Sequence, residues 1–552
     1  MAIYDTSQEA LRSNNKTLYE VVMLADGFGN PTDPSSGESV TTNIGGSTVF
    51  GEVASAETTP VFQLDGLYGI SDTNEFQLNS AAGGGQSVNS DGLLTVNSGT
   101  APGGFGALRS KRAVRYRPGQ GSMLRFTAMF PGGQVEGYQQ VAGYLNQTDI
   151  LAIGYNFVPG SEFAILRRYK STAELWELNF TVGTGLSAED LEITLNGTLH
   201  TIQVPGELSA QEVASYIGNS TFSNWIIDYV DTRVEFLYGG PPIDLSDSNF
   251  SFNNATGGGT ADAVFSALQQ GQTPNDTWTY QSDWNLDTLD GNGPSGMILD
   301  PSKLNVYQID FRWLGVGIIR YSIENDITGS MIPFHMERFT NSNVITHISN
   351  PSMRAGYAVV NAAPEVGTST DVTVSGGSMM GAIQGKIIRN VSPRSSFASG
   401  SGQTQDDAHH CLTIKNDRIN SLGVMSKINQ REVIIDLFAA GSTSSAGGVA
   451  VTYTFYKNAE LVNDEDAPSP TDVLFDFTEV TPGISESKTT GQYKEGTGTL
   501  IATFVVASGS TANIDLTELR MILAPLDRLS VFARCVEAGQ LDTSVGLTYT
   551  VE

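Results

Sequence analysis

Apolar and polar residues alternate with a period of two along much of this chain. Leu124, Phe126, Ala128 and Phe130 are separated by Arg125, Thr127 and Met129, the pattern of a half-buried strand. Residues 150–158 and 163–169 read as further strands after loops of Gly, Asn and Pro. Tyr307, Ile309, Phe311 and Trp313 then alternate with Gln308, Asp310 and Arg312, and Ile319, Tyr321 and Ile323 alternate with Arg320, Ser322 and Glu324. Leu314-Gly315-Val316-Gly317 between them supplies a turn, so the spacing predicts a hairpin. From about residue 366 onward, strands at 371–374, 387–391, 433–438, 449–456, 499–506 and 529–534 are separated by Gly/Ser loops. Strands at that spacing, with almost no helical signal, predict an antiparallel sandwich.

Two stretches break the rhythm. Leu191, Ile193 and Leu195 lead into Asn196-Gly197, a two-residue hairpin turn, and His200, Ile202 and Val204 continue beyond it. Ser209-Ala210-Gln211-Glu212 has capping-box spacing and opens a short helix with Val213 and Ile217 on one face. Strands follow at 225–230 and 234–238, which makes a ββαββ module at 181–275. It reads as an insertion, because strand-rich sequence resumes after the Gly257-Gly258-Gly259 loop. At the start, Thr6-Ser7-Gln8-Glu9 has the same capping spacing, Leu18 to Leu24 is an apolar run, and residues 27–48 are dominated by Gly, Pro, Ser, Thr and Asn. Residues 1–55 are therefore expected to be an arm or docking segment without a core of its own.

Length and composition agree with several β modules. At about 150 residues per domain, 552 residues make three or four domains. Charged residues are only 16%, against about 25% in typical soluble domains. Acids outnumber bases 59 to 30, for a net charge of −29, which is opposite to the basic footprint of a nucleic-acid binder. No apolar run is long enough for a transmembrane helix. Met1-Ala2-Ile3-Tyr4-Asp5 does not read as a secretory signal. Two cysteines, Cys411 and Cys535, are too few for a disulfide scaffold.

Candidate chemistry is sparse. Arg109, Lys111, Arg115 and Arg117 lie at even spacing with Arg112 among them; on a strand the four would share a face. They suit an acidic neighbouring subunit or an anionic ligand, and a solvated strand face is the plain alternative. Asp283, Asp287 and Asp290, the last followed by Gly291, offer oxygen ligands for calcium, although the spacing departs from the EF-hand pattern and an Asp/Gly turn is the simpler reading. Trp278, Tyr280 and Trp284 are candidates for stacking on a sugar, against the usual fate of tryptophan in a core. His409, His410 and Cys411 stand in sequence, but adjacent side chains on an extended segment point opposite ways. No G-x-S-x-G elbow, Walker A loop or H-E-x-x-H motif occurs, so no catalytic residue and no cofactor is expected.

The segment Asp290-Gly291-Asn292-Gly293-Pro294-Ser295-Gly296-Met297-Ile298-Leu299-Asp300-Pro301-Ser302-Lys303, running into Val306–Gly317, resembles a family of virion structural proteins of tailed bacteriophages. Ile323-Glu324-Asn325, Thr328-Gly329, His335, residues 109–121 and Leu18-Tyr19-Glu20-Val21-Val22-Met23 resemble it as well. The likeness covers roughly residues 1–180 and 276–365, and the C-terminal sandwich loosely; the insertion, with Leu191–Val204 and its helix, is similar to small modules of phage tail and baseplate proteins. The likeness is specific to virion proteins but not to a place on the particle. With it, the chain reads as mainly β, multi-domain antiparallel sandwiches. A lectin-like sandwich occupies 56–180 with 276–365, the α+β module is inserted, and a jelly-roll-like sandwich fills 366–552.

The resemblance implies a fibre, spike, tail-associated or capsid-decoration protein on the particle exterior, made in the host cytoplasm. It would form a homo-oligomer, commonly a trimer, and contact other virion proteins of the tail, neck or capsid. The acidic balance and the lack of a long apolar run add the expectation of no nucleic-acid partner and no membrane insertion. A host-attachment protein binding a surface glycan is the second reading, and a glycan depolymerase the third. A depolymerase spike would carry the short repeats of a parallel β-helix, and no such repeat is evident.

Overall fold

In the computed structural model the alternating segments become strands that pair antiparallel. The structure describes residues 58–552 except 71–75, 82, 90, 102, 147, 223–224, 239–243, 273, 362–369, 386–391, 404–407, 423–424, 445–449, 463–474, 508, 520 and 537–540. The expected N-terminal arm and the strand at 387–391 lie outside the described residues.

The first sandwich packs a six-stranded sheet on a seven-stranded one. The six strands run Thr58–Asp65, Ser378–Gln384, Gly121–Ala128, Asn305–Phe311, Ile319–Glu324 and Met331–Glu337 across the sheet. The seven run Asn275–Tyr280, Ala164–Tyr169, Ile150–Tyr155, Tyr138–Leu145, Ala355–Asn361, Phe105–Ser110 and Phe76–Ala81. A small third sheet holds Thr373–Gly376, Leu94–Asn97 and Gly85–Val88. This is an antiparallel sandwich, as the alternation predicts. Period-two alternation puts Leu124 and Phe126 of one sheet, and Tyr144, Leu151 and Ile165 of the other, into one core. Tyr144 meets Phe311 edge-on at 5.3 Å, and Phe126 stacks near Tyr307 at 5.8 Å. The 307–323 hairpin forms as expected, with Tyr307 opposite Ile323, Ile309 opposite Tyr321 and Phe311 opposite Ile319.

Two boundaries move. Thr373–Gly376 and Ser378–Gln384, expected in the C-terminal sandwich, belong to the first one. Their Val374, Met379 and Ile383 bury in its core. Leu175–Val182, expected largely in the first sandwich, is the spine of the insertion: it pairs with Arg233–Tyr238 on one side and Asp262–Gln269 on the other. Trp176, Leu178 and Phe180 bury with the insertion's own apolar residues, and a bridge between Thr172 and Gln272 closes its base.

Inside the insertion, Glu189–Leu195 and Thr198–Val204 form the Asn-Gly hairpin. Asn196 and Gly197 both take positive φ, 50° and 77°, as such a turn requires. The helix Ala210–Gly218 carries the expected box: Ser209 accepts from the Glu212 N–H, and Glu212 accepts from the Ser209 N–H.

The C-terminal sandwich has jelly-roll order. One sheet runs Arg394–Gln403, Leu541–Val551, Val433–Ser444 and Thr511–Asp515; the facing one centres on His409–Asn416, Arg528–Cys535, Val451–Lys457 and Thr499–Val506. Successive long strands thus switch sheets, except that Val451–Lys457 and Thr499–Val506 pair within one sheet, and the first lies beside the last, which is the double Greek key of a jelly roll. Cys411 and Cys535 are both buried as thiols in this core.

Candidate functional site

The basic cluster leaves the strand almost as soon as it begins. Phe105–Ser110 ends before Lys111, and only Val114 returns to pairing, with Met353. The shared strand face expected for Arg109, Lys111, Arg115 and Arg117 is therefore not formed, because the chain bends away toward the jelly roll. There it finds acids. Lys111 pairs with Asp527 at 3.4 Å, and Arg117 and Arg115 reach Glu552 at 3.0 and 4.0 Å. Arg112 donates from Nε and Nη2 to the two carboxylate oxygens of Glu432, each at 3.2 Å, and from Nη1 to the Val61 carbonyl. Arg109 remains in the strand near Arg354, and burial together with that like charge lowers its pKa to about 10. The acidic partner of this cluster is the jelly roll of the same chain.

A forked Arg–carboxylate pair in a partly closed seam is a strong hydrogen-bonded contact. Replacing Arg112 with alanine is expected to destabilise the protein by about 1.5–3 kcal/mol. A double-mutant cycle with Glu432→Gln in urea unfolding checks it; a coupling under about 0.5 kcal/mol would remove the pair from the seam's energetics.

A second ionic site, which the sequence does not announce, joins the insertion to the jelly roll. Lys415 is almost fully buried, donates to the Tyr229 carbonyl at 2.7 Å and pairs with Asp228. Asp417 lies 3.7 Å away on its other side. The Lys415 ammonium also faces the rings of Tyr229 and Phe477, 4.9 and 4.8 Å from their centroids, a favourable placement for a desolvated cation. Arg418 donates to the Ile226 and Ile227 carbonyls and, from its backbone, to Asp228. Burial, the Asp228 charge and the Asp417 charge set these carboxyls against one another. Asp228 stays below the ordinary carboxylate range: burial opposes this, but Lys415 and Arg418 prevail. Burial and then Asp228 push Glu235 up to about 8. Burial raises Asp417 to about 7 against the pull of Lys415. Around these groups Ala459, Leu461, Phe475, Phe477 and Phe532 of the jelly roll share one apolar core with Trp176, Phe180, Ile217 and Phe236 of the insertion.

The remaining candidates separate. Trp284 is 4% exposed, its ring 4.2 Å from Phe334 and its N–H donated to the Thr279 carbonyl. It is a core residue and presents no stacking face, because the turn Gln281–Asp283 folds it inward. Trp278 and Tyr280 stand two residues apart on the edge strand Asn275–Tyr280, both half-buried. Trp278 stands opposite Leu166 and packs against the apolar cluster that Leu166 forms with Val141 and Ile150.

The three aspartates do not converge. Asp287 is buried and accepts from the Leu289 and Ser295 N–H groups. Gly293 approaches it so closely that a Cβ would stand 2.0 Å from its Oδ1. Asp290 accepts from Thr288 and from the Asn292 N–H, and Asp283 is exposed. Their oxygens organise turns, and among the described residues no three His, Cys, Asp or Glu side chains gather as a metal would need. His410 and Cys411 face opposite sides: His410 lies against Phe475 and Phe532, Cys411 in the jelly-roll core.

No family model and no curated protein matches the chain. Among solved structures, the chain is similar to basic winged bean lectin in complex with Tn-antigen, at 9% identity and a TM-score of 0.22, over 59% of this chain and 98% of that one. Arcelin-5 of Phaseolus vulgaris, a lectin-like defence protein, aligns at 8% identity and 0.20 over the same shares. An infectious bursal disease virus particle protein aligns at 10% identity and 0.14, over 86% of this chain and 74% of that one. Scores of this size establish no shared fold, and the architecture stands on the strand pairings: mainly β, in multiple antiparallel sandwiches with one small helical module.

Proposed function

We propose that this protein is a structural component of a tailed-bacteriophage particle, an exterior fibre, spike or tail-associated protein without enzymatic activity, assembled as a homotrimer beside other virion proteins. The supporting observation is the seam. Residues 109–117, which lie within the phage-like sequence, spend four bases on carboxylates of the jelly roll. The insertion joins that same jelly roll through a shared core. Both the first sandwich and the insertion are thereby tied to the jelly roll, a build suited to standing on a particle. The net charge of −29 suits a crowded exterior, since like-charged surfaces repel packaged DNA and one another. Among the described residues no helix is long and apolar enough to cross a membrane.

The test is proteomic and structural. Particles purified by density gradient are expected to contain the chain in a copy number divisible by three. Its absence from washed, infectious particles would overturn the role, and a copy number indivisible by three would overturn the trimer. Attachment to a host glycan is the second reading, favoured by Trp278 and Tyr280 on one edge strand of the lectin-like sandwich.

A further inference from the structure

The outward face of the jelly-roll sheet carries a feature that none of the sequence candidates anticipates. Strand register places Phe397 opposite Gly546, Gly546 opposite Ala439 and Ala439 opposite Asn513. The neighbouring row runs Ser399, Ser544, Gly441 and Thr511. Phe397 is 61% exposed, an aromatic ring on an otherwise polar, small-residue face. In that neighbouring row, which Phe397 borders but does not line, opens a cleft of about 500 Å³ lined by Ser399, Gly441, Ser510, Thr511, Asp542 and Ser544, among others. That volume is within the roughly 300–1,000 Å³ of small-molecule sites.

We propose that this cleft, with Phe397 as an aromatic platform at its rim, binds a neutral glycan. An exposed aromatic ring covers the apolar C–H face of a pyranose, and the small residues Gly546 and Ala439 leave the ring's flank open for it. Serine and threonine hydroxyls donate and accept, and a carboxylate accepts twice, which suits vicinal sugar hydroxyls. Among the described residues the lining contains one carboxylate and no Lys or Arg, on a chain of net charge −29. Sulfated, phosphorylated or sialylated sugars would meet like charge there. The site is separate from Trp278 and Tyr280, and it would stand even for a protein absent from particles.

The intact chain is screened on an array of neutral hexose and N-acetylhexosamine oligosaccharides, with sialylated and sulfated ones for contrast. The best binder is then titrated by calorimetry. Neutral sugars are expected to bind, and Phe397→Ala is expected to weaken binding about tenfold, as loss of an aromatic stacking contact does. Phe397 lies outside the core, so the variant's melting curve should match the parent's. Gly546→Val is the second variant, expected to lose binding by filling the flank: a Cβ there meets Ala439 Cβ at 3.7 Å, ordinary contact. Binding confined to anionic sugars, binding unchanged in both variants, or no binding at millimolar sugar would overturn the proposal. So would a Phe397→Ala protein that binds sugar normally but sediments as a smaller oligomer, which would make the face a contact between copies.

Discussion

Replacing Lys415 with methionine is expected to cost about 3–5 kcal/mol, the usual price of leaving a buried charge without its partner. Lys415 and Asp228 are 5% and 4% exposed at the side chain, so neither water nor salt replaces what is lost. The substitution keeps the apolar stem against Tyr229 and Phe477 but leaves Asp228 and Asp417 facing each other and Glu235 in a dry interior. The Tyr229 carbonyl loses its donor as well. The loss should appear in urea unfolding as an early transition of the insertion and jelly roll together, because their apolar core is common. A shift below about 1 kcal/mol would mean that the cluster is solvated in solution. Adding Asp228→Asn and Asp417→Asn to Lys415→Met should recover part of the loss, since a neutral buried set avoids the desolvation of ions.

What the sequence made legible follows from how local each constraint is. The 307–323 hairpin, the Asn196-Gly197 turn and the Ser209 box are set by residues within a few positions of one another, and all three form as read. Alternation marked most strands because each sandwich face has a wet and a dry side. Partnership was not legible, since strands that read alike can pair with any other. Thr58–Asp65 finds Ser378–Gln384 some 320 residues on, and nothing in either segment names the other. The sandwich boundary misplaced at 366 and the strand Leu175–Val182 are failures of that kind.

The site residues show the same division. Arg109 to Arg117 stood out because five bases are crowded on an acidic chain, and their need for acids could be read. That the acids are Glu432, Asp527 and Glu552 of the same chain is a matter of tertiary folding. Trp284 was read by residue type, and its burial depends on Phe334, on a strand that no local pattern ties to it. Lys415 sits in His-His-Cys-Leu-Thr-Ile-Lys-Asn, where strand alternation puts it opposite Leu412 and Ile414. The jelly roll alone would leave that face wet. The insertion covers it, so the charge is buried by a module nearly 190 residues earlier in the chain.

Between pH 5 and 9 the union of insertion and jelly roll is expected to weaken as pH rises, opposite to the usual behaviour of a paired carboxylate. Glu235 is fully buried, and its Oε2 has no hydrogen-bond partner. It borders a void of about 10 Å³, room for at most one water, with Arg233, Asp417 and Glu479 on the rim. Burial first, then Asp228, raise its pKa to about 8, while Arg233 and Lys415 pull the other way. A carboxyl whose pKa is raised in the fold binds its proton more tightly there than in the unfolded chain. Its contribution is therefore complete below the ordinary glutamate pKa and is lost as pH climbs through about 8. Asp417, raised to about 7, acts in the same direction over a slightly lower window. Buried His347 and His410, both lowered to about 4, act oppositely, since their stabilisation fades as pH falls below about 6.5. The test is thus the difference between two proteins. Glu235→Gln keeps the shape and removes the titration, so its stability should fall less than the parent's between pH 5 and 9. If the two melting profiles run parallel across that range, Glu235 carries no raised pKa in solution. Its carboxylate would then have to be hydrated, and the seam more open than its geometry shows.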